Sequence, residues 1–185
     1  MKIIYPQIGI CGLSCRLCPN YQTDAASRCQ GCKSLDRMAL GCPFITCAVK
    51  KKELEFCWDC KESASCIKWL AHREHGKHHD SFKCYQTLEN DVGYILENGV
   101  EAFEQAQKAK EMLLLDMLQE FNDSRSKSYY CIAATVMEEG ELRNALVTAR
   151  ELSGGLDIKA KAKMLHGILN DIAVEKGYLL KLRKK

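Results

Sequence analysis

Cys11-Gly12-Leu13-Ser14-Cys15-Arg16-Leu17-Cys18 opens the segment that decides the fold of this protein. The last four residues have the spacing Cys-x-x-Cys, which recurs at Cys29/Cys32 and at Cys57/Cys60. Two thiolates separated by two residues can bind one ion at about 2.3 Å, leaving two tetrahedral positions for a second pair. Ten cysteines lie in this segment, and all are candidate metal ligands: Cys11, Cys15, Cys18, Cys29, Cys32, Cys42, Cys47, Cys57, Cys60 and Cys66.

Clustered cysteines can also form disulfides, as they do in small secreted domains. The first residues, however, contain no long apolar stretch followed by the small-residue cleavage site of a signal peptide. No window approaches the ~18 consecutive apolar residues of a membrane span. We therefore expect a cytoplasmic protein without a membrane segment, in which clustered thiols are ligands rather than disulfides.

The grouping of the ligands is left open by the spacing alone. Two closed four-cysteine sites would hold about two zinc ions, and the same ligands would hold an iron–sulfur cluster. The simplest partition joins Cys15/Cys18 with Cys29/Cys32, and Cys57/Cys60 with two of Cys42, Cys47 and Cys66. Interleaved partitions are equally compatible, and Cys11 can replace a member of the first set. The spacing Cys-x-x-x-Cys-x-x-Cys also occurs in radical enzymes that use S-adenosylmethionine, but their alternating strands and helices are not evident here.

Residues 1–79 and 80–185 are predicted to form two domains, because the composition changes near residue 80. The first part has few residues to bury and needs a metal to fold. The second part repeats apolar residues every three or four positions, which predicts helices. The expected fold class is a small metal-stabilised cysteine-rich module, zinc-knuckle-like and with little regular structure, followed by a mainly α-helical bundle. The helical predictions cover about 85–98, 103–121, 128–137, 142–149 and 157–177, with short helices after Pro43 and around Cys66; 178–182 would be a strand or a docked tail.

The cysteine pattern resembles a known prokaryotic family. The matching motifs are Cys11-Gly12-Leu13-x-Cys15-x-x-Cys18-Pro19-x-Tyr21, Cys29-x-Gly31-Cys32, Cys47-Ala48, and Glu55-Phe56-Cys57-x-x-Cys60 followed by Cys66. They are similar to the uncharacterised cysteine-rich family catalogued as domain of unknown function 3795, over roughly residues 9–66, and residues 122–131 resemble a segment of its longer members. Members often have proline before the last cysteine, where this chain has Ser65. The resemblance implies a zinc-binding domain in a bacterial or archaeal cytosol, and it implies no activity.

The turn at 123–131 is the best candidate for a site outside the cysteine-rich module. Ser124 or Ser126 can cap the helix that follows, and free N–H groups beside arginine and lysine can bind an anion. A cysteine in the first turn could have a lowered pKa. The alternative is structural: Asp123 pairs with Arg125, and the tyrosines pack in the core. The candidate pocket comprises Asp123, Arg125, Lys127, Tyr129, Tyr130 and Cys131.

The histidines at 72, 75, 78 and 79 are interspersed with charged residues, so we expect a solvated helix face there rather than a metal site. Cys84 is expected to be a buried, inert thiol. No glycine-rich phosphate loop and no Ser/His/Asp arrangement is evident from the sequence.

The sequence therefore favours a zinc-binding protein with structural four-cysteine sites and a non-enzymatic binding role. The expected partner is a protein or a small anionic ligand. Nucleic acid is a weaker candidate, based on Lys50-Lys51-Lys52, the basic C-terminal tail, and the aromatic rings of Trp58 and Tyr21. The alternatives are an iron–sulfur or thiol-based redox protein, or an enzyme that uses the anion pocket.

Overall fold

The computed structural model describes residues 2–39, 41–81 and 83–184. Within these residues the protein is helical and has no β-strand, apart from one bridge between Ile8 and Ser14. The α-helices are α1 Leu35–Ala39, α2 Ile67–His78, α3 Leu88–Asn98, α4 Val100–Glu120, α5 Lys127–Val136, α6 Glu139–Leu152 and α7 Ile158–Lys176. A π-helix spans Ile45–Lys51, and two 3₁₀ turns span Cys57–Asp59 and Ser63–Ser65. The prediction of a cysteine-rich segment followed by a helical part is confirmed at this level.

The ends of α6 and α7 follow from capping residues that the sequence displays. Asp157 accepts a hydrogen bond from the Ala160 backbone N–H at 2.8 Å, as predicted for the first residue of α7. Gly177 ends α7 with a left-handed φ of 74°, which favours glycine. Glu138 and Glu141 form a reciprocal capping box at the start of α6, so that helix begins earlier than its apolar stripe suggested.

The largest apolar cluster lies among α4, α5, α6 and α7. Tyr130, Ala133 and Ala134 of α5 are fully buried in it, which confirms the prediction that this helix occupies the centre of the bundle. Leu17 contributes to this cluster from the cysteine-rich segment. None of the helices in the described ranges is long and apolar enough to cross a membrane.

Two smaller apolar clusters join the cysteine-rich segment to the helices. In one, Ile8 and Phe56 pack with Ile95 and Phe103. In the other, Leu13 and Trp69 pack with Leu88 and Val92 of α3. A Cβ atom at Gly12 would lie 3.0 Å from Val92 Cγ2, and its φ of +94° already favours glycine, so glycine permits this close approach. The boundary between residues 79 and 80 stays a prediction from the sequence, and the cysteine-rich segment packs closely on α3 and α4.

Arg16 makes the main polar contact between the first cysteine pair and the bundle. Its guanidinium pairs with Glu104 and Glu111, which lie on one face of α4. Gln22 donates to Glu111 and to the Arg16 carbonyl, which holds the loop in place. The position of the Cys15–Cys18 loop is therefore tied directly to α4.

The C-terminal tail docks without forming a strand in the described residues. Arg183 pairs with Asp80, and its carbonyl accepts a hydrogen bond from the Asp80 N–H at 2.9 Å. Gln86 donates through Nε2 to the carbonyls of Leu179 and Lys181. Of the two predicted arrangements, the docked tail is the one that the structure shows.

Asp91 on α3 is a buried carboxyl whose pKa is raised to about 6 by burial, although Thr87 donates a hydrogen bond to it at 2.9 Å. A raised folded-state pKa means that the carboxylate costs stability above that pH and costs nothing well below the unfolded value of 3.8. We expect Asp91→Asn to raise the free energy of unfolding by roughly 1–3 kcal/mol at pH 7.5, and to change it little at pH 4. Urea unfolding at both pH values measures this, with exposed Asp171→Asn as the control; equal effects at both pH values would contradict it.

Candidate metal centre

The first thiol group consists of Cys15, Cys18, Cys29 and Cys32. The Cys32 N–H donates to Cys15 Sγ at 3.3 Å, and the two thiols also share a hydrogen bond. Gly31 makes this possible because it has a φ of +103°, and a Cβ there would lie 3.0 Å from the Pro6 carbonyl oxygen. Cys15 of the Cys15/Cys18 pair is thus in contact with Cys32 of the Cys29/Cys32 pair.

Two cations donate hydrogen bonds to sulfur atoms of this group. Lys83 Nζ lies 3.0 Å from Cys32 Sγ, and Arg37 Nε lies 3.3 Å from Cys29 Sγ. The pKa of Arg37 is raised by its hydrogen bond to Cys29 and by the fields of Cys29, Cys32 and Cys18, so it is close to three of the four thiols. Burial alone would lower the pKa of Lys83, but Cys32 and Cys15 outweigh it and raise that pKa.

The hydrogen bond between Cys15 and Cys32 shifts the pKa values of the two thiols in opposite directions. The pKa of Cys32 is lowered to about 5, chiefly by the hydrogen bond from Cys15 and further by Lys83. The pKa of Cys15 is raised well above its ordinary value by the same hydrogen bond and by burial. The lowered pKa favours the thiolate form of Cys32, which is the form that binds metal.

The second thiol group surrounds Cys57. The pKa of Cys57 is raised to about 12, mainly by burial. Four neighbouring thiols make smaller contributions to this increase: Cys11, Cys66, Cys47 and Cys42. Cys11 thus lies near Cys57, and the charge of Cys32 in the first group also contributes to raising the pKa of Cys11, after burial. Cys60 lies at the surface side of this group, where its Sγ accepts a hydrogen bond from Lys52 Nζ at 3.2 Å.

No group of three or more His, Cys, Asp or Glu side chains in the described parts of the chain is already arranged to hold a metal ion. The chemistry of the donors nevertheless fits zinc, because thiols occur in two groups and cations donate to sulfur in the first. Binding would require the thiols of each group to move closer together. The ten cysteine ligands thus stay a prediction.

His72 differs from the expected solvated histidine. Its ring lies against Phe44, Trp69 and Tyr85, with centroid distances of 4.9, 6.1 and 5.4 Å. Its Nε2 is buried and has no hydrogen-bond partner. Because α2 turns this residue toward the thiols, the expectation of exposure is wrong for His72, whereas His75 and His78 are exposed as predicted.

Ser126 is the N-cap residue of α5, one of the two serines that the sequence offered, but its side chain makes no capping hydrogen bond. Asp123 orders the turn before this helix. Its Oδ1 accepts hydrogen bonds from the N–H groups of Arg125 and Ser126, both at 3.1 Å, and from Ser126 Oγ at 2.8 Å. Ser126 Oγ also lies 2.9 Å from His166 Nε2, a contact between distant residues that no local pattern indicated. The negative charge at this helix end is therefore supplied by the protein itself.

The other residues of the predicted anion pocket differ in exposure and in partners. Arg125 is exposed, Lys127 is half-buried, and Tyr129 stacks on His166 at 4.0 Å. Tyr130 is buried and donates to the Phe121 carbonyl at 2.9 Å, as the structural alternative expected for the tyrosines. Burial raises the pKa of Cys131 to about 12, so the expectation of a lowered pKa is wrong. The anion site stays a prediction from the sequence.

Cys84 is half-buried, and burial raises its pKa to about 11, in keeping with an inert thiol. Sequence reasoning missed Lys83, its neighbour, and also Arg37. Neither stands in a recognisable motif, and only the fold places their cationic groups on sulfur.

The region that contains both thiol groups also matches a family model. Residues 7–71 match the model described as "Protein of unknown function (DUF3795)". This match covers the cysteine-rich segment, about a third of the chain. No curated protein and no solved structure matches the chain. The match confirms the family resemblance drawn from residues 9–66, and residues 122–131 lie outside it. We refer to residues 7–71 as the DUF3795 module.

Proposed function

We propose that the DUF3795 module is a zinc-binding module with about two structural ions, and that the protein has a non-enzymatic binding role. The observation that carries this proposal is the donation of hydrogen bonds from Lys83 and Arg37 to the sulfur atoms of Cys32 and Cys29. Cations in these positions stabilise thiolates, the form of cysteine that binds zinc.

The charges of the first group balance when zinc is included. Four thiolates and one Zn²⁺ carry two net negative charges, and Lys83 and Arg37 supply two positive charges at the sulfur atoms. Without a metal, several thiols would have to stay protonated beside these cations, as the raised pKa of Cys15 shows. The cations therefore suit a four-thiolate site better than a set of neutral thiols.

Zinc would supply stability that this module cannot obtain from apolar burial. Cys15, Cys18, Cys29 and Cys32 would hold one ion, and the group around Cys57 would hold the other. Structural zinc contributes roughly 10–16 kcal/mol of apparent binding free energy in peptide models. This is sufficient to order the loops that connect the short helices of the module.

The partner is proposed to be acidic. Lys50 and Lys51 end the π-helix beside the second thiol group, and Lys51 is exposed. An acidic protein surface or a nucleic-acid backbone would be attracted there. A zinc-ordered turn would present these lysines in a fixed arrangement.

Elemental analysis of protein purified without oxygen tests the proposal. We expect about two zinc ions per chain, and a loss of about one ion in each of Cys15→Ser and Cys57→Ser. Cys84→Ser is the matched control, since Cys84 lies outside both groups and should retain both ions. Absence of metal from well-folded wild-type protein would refute the proposal.

A dithiol redox function is the second candidate, favoured by the direct contact between Cys15 and Cys32. The Cys32 thiolate would attack one sulfur of a low-molecular-weight disulfide and release one thiolate. Cys15 would then attack Cys32 Sγ, forming the protein disulfide, and the second thiolate would leave with the Cys15 proton. Folded metal-free protein that loses two titratable thiols on treatment with such a disulfide would support this candidate; near-stoichiometric iron and acid-labile sulfide would indicate a cluster instead.

A further inference from the structure

We propose that His72 supplies a nitrogen ligand, through Nε2, to the metal ion of the second thiol group. This inference rests on the proposed zinc function and extends it to a residue outside the ten cysteines. It makes the second site a mixed thiolate–imidazole site, whereas the first site contains thiolates only. Zinc accepts both ligand types, in Cys₃His as well as in Cys₄ sites.

The state of the imidazole is the first observation. His72 Nε2 is buried and has no hydrogen-bond partner in the structure. A buried polar atom without a partner destabilises the fold, so buried polar groups are paired in most proteins. A metal ion would remove this cost by accepting the Nε2 lone pair.

The surroundings of the ring are the second observation. A cavity of about 400 Å³ lies between the module and α2. His72 lines it together with three candidate thiol ligands, Cys11, Cys32 and Cys42, and the cations Arg37 and Lys83 also reach it. Phe44 and Tyr85 line the same cavity and contact the ring of His72. The imidazole is therefore held by aromatic packing at a cavity that is also lined by candidate thiol ligands.

Cys57 links these residues to the rest of the second group. Cys57 lies close enough to Cys11 and Cys42 for their charges to raise its pKa, in addition to the larger effect of burial. Cys11 and Cys57 pack in one apolar cluster with Phe44, and Cys42 and Cys57 in another. An ion bound by these thiols and by His72 Nε2 would occupy part of the cavity.

Charge also favours an imidazole at this site. Three thiolates and one neutral imidazole on Zn²⁺ carry one net negative charge, rather than the two of a four-thiolate site. The second group lies among the apolar residues of two clusters, where a smaller net charge is less costly to bury. Lys52 donates to one sulfur atom of the second group, whereas Lys83 and Arg37 donate to two sulfur atoms of the first group.

Cobalt substitution in the full-length protein tests this assignment by spectroscopy. Co²⁺ bound to the wild type should show d–d bands of tetrahedral thiolate sites and, on titration, bind about two equivalents. In His72→Cys the bands should move to longer wavelength, because thiolate is a weaker-field ligand than imidazole. In His72→Phe, which keeps an aromatic ring but no nitrogen, the affinity for the second equivalent should fall at least about 10-fold.

His75→Phe on the same helix is the control, and it should leave both the bands and the affinity unchanged. Circular dichroism of each variant checks that α2 remains folded. If wild type binds two equivalents and both His72 variants match it in spectrum and affinity, His72 is not a ligand, although the zinc proposal stands. If wild type binds no metal at all, the proposed function fails and this inference fails with it.

Discussion

Removal of zinc by a strong chelator under anaerobic conditions is expected to unfold the DUF3795 module while α4–α7 keep their helices. The reason is that, under the proposed function, zinc stabilises the module, whereas apolar burial stabilises α4–α7. The module would lose the roughly 10–16 kcal/mol per ion that structural zinc supplies in peptide models. The largest apolar cluster is built by α4, α5, α6 and α7, with Leu17 as its contribution from the module.

Hydrogen exchange measured with and without the chelator distinguishes the two parts. Amides in residues 7–71 should lose protection, α3 should lose part of it because Leu88 and Val92 pack on the module, and α5 should stay protected. Re-addition of zinc should restore the original pattern. Loss of protection throughout α4–α7 in a single step would show that module and bundle form one cooperative unit.

Replacement of Glu55 by alanine is expected to destabilise the module by about 3–5 kcal/mol, because it leaves a buried charge without its partner. Lys33 Nζ lies 2.8 Å from Glu55 Oε1, and the Lys33 side chain is 0% exposed. The same carboxylate accepts hydrogen bonds from the N–H groups of Ile4 and Tyr5, at 3.0 and 2.7 Å. Denaturant unfolding in the presence of zinc measures the change.

Glu62→Ala is the matched control. Its carboxylate pairs with Lys52 at 2.7 Å, but its side chain is 75% exposed, and solvent screens exposed ion pairs so that they contribute little to stability. Equal effects of the two substitutions would show that burial of Lys33 does not govern the stability of this part of the module.

The Glu55 pair also has a predictable dependence on pH. Burial by itself would raise the pKa of Glu55, but hydrogen bonds from Lys33 and from the two backbone N–H groups outweigh it and lower the pKa below 4.5. A lowered folded-state pKa means that the stabilisation is fully present above about pH 4.5 and is lost as the pH falls through the folded value. The free energy of unfolding of Glu55→Gln should therefore fall less than that of the wild type as the pH decreases through this acidic range.

Local sequence signals were sufficient for most of the helical part. Periodic apolar residues located α3–α7, and Asp157 and Gly177 marked the ends of α7, because periodicity and capping are properties of neighbouring residues. Cysteine spacing likewise identified the DUF3795 module. A pair such as Cys15/Cys18 is close in space whatever the rest of the chain does, so its chemistry can be predicted from four residues.

Contacts between distant residues were decided by the tertiary structure alone. Lys83 reaches Cys32 from fifty-one positions away, and Ser126 meets His166 from forty. His72 was predicted to be exposed because its neighbours in sequence are charged, yet packing of α2 on Phe44 and Tyr85 buries its Nε2. The sequence by itself determined which residue types are available for metal binding. Only the fold decided which cations and which imidazole lie beside the thiols, because burial and electrostatic fields depend on distances in space rather than on spacing along the chain.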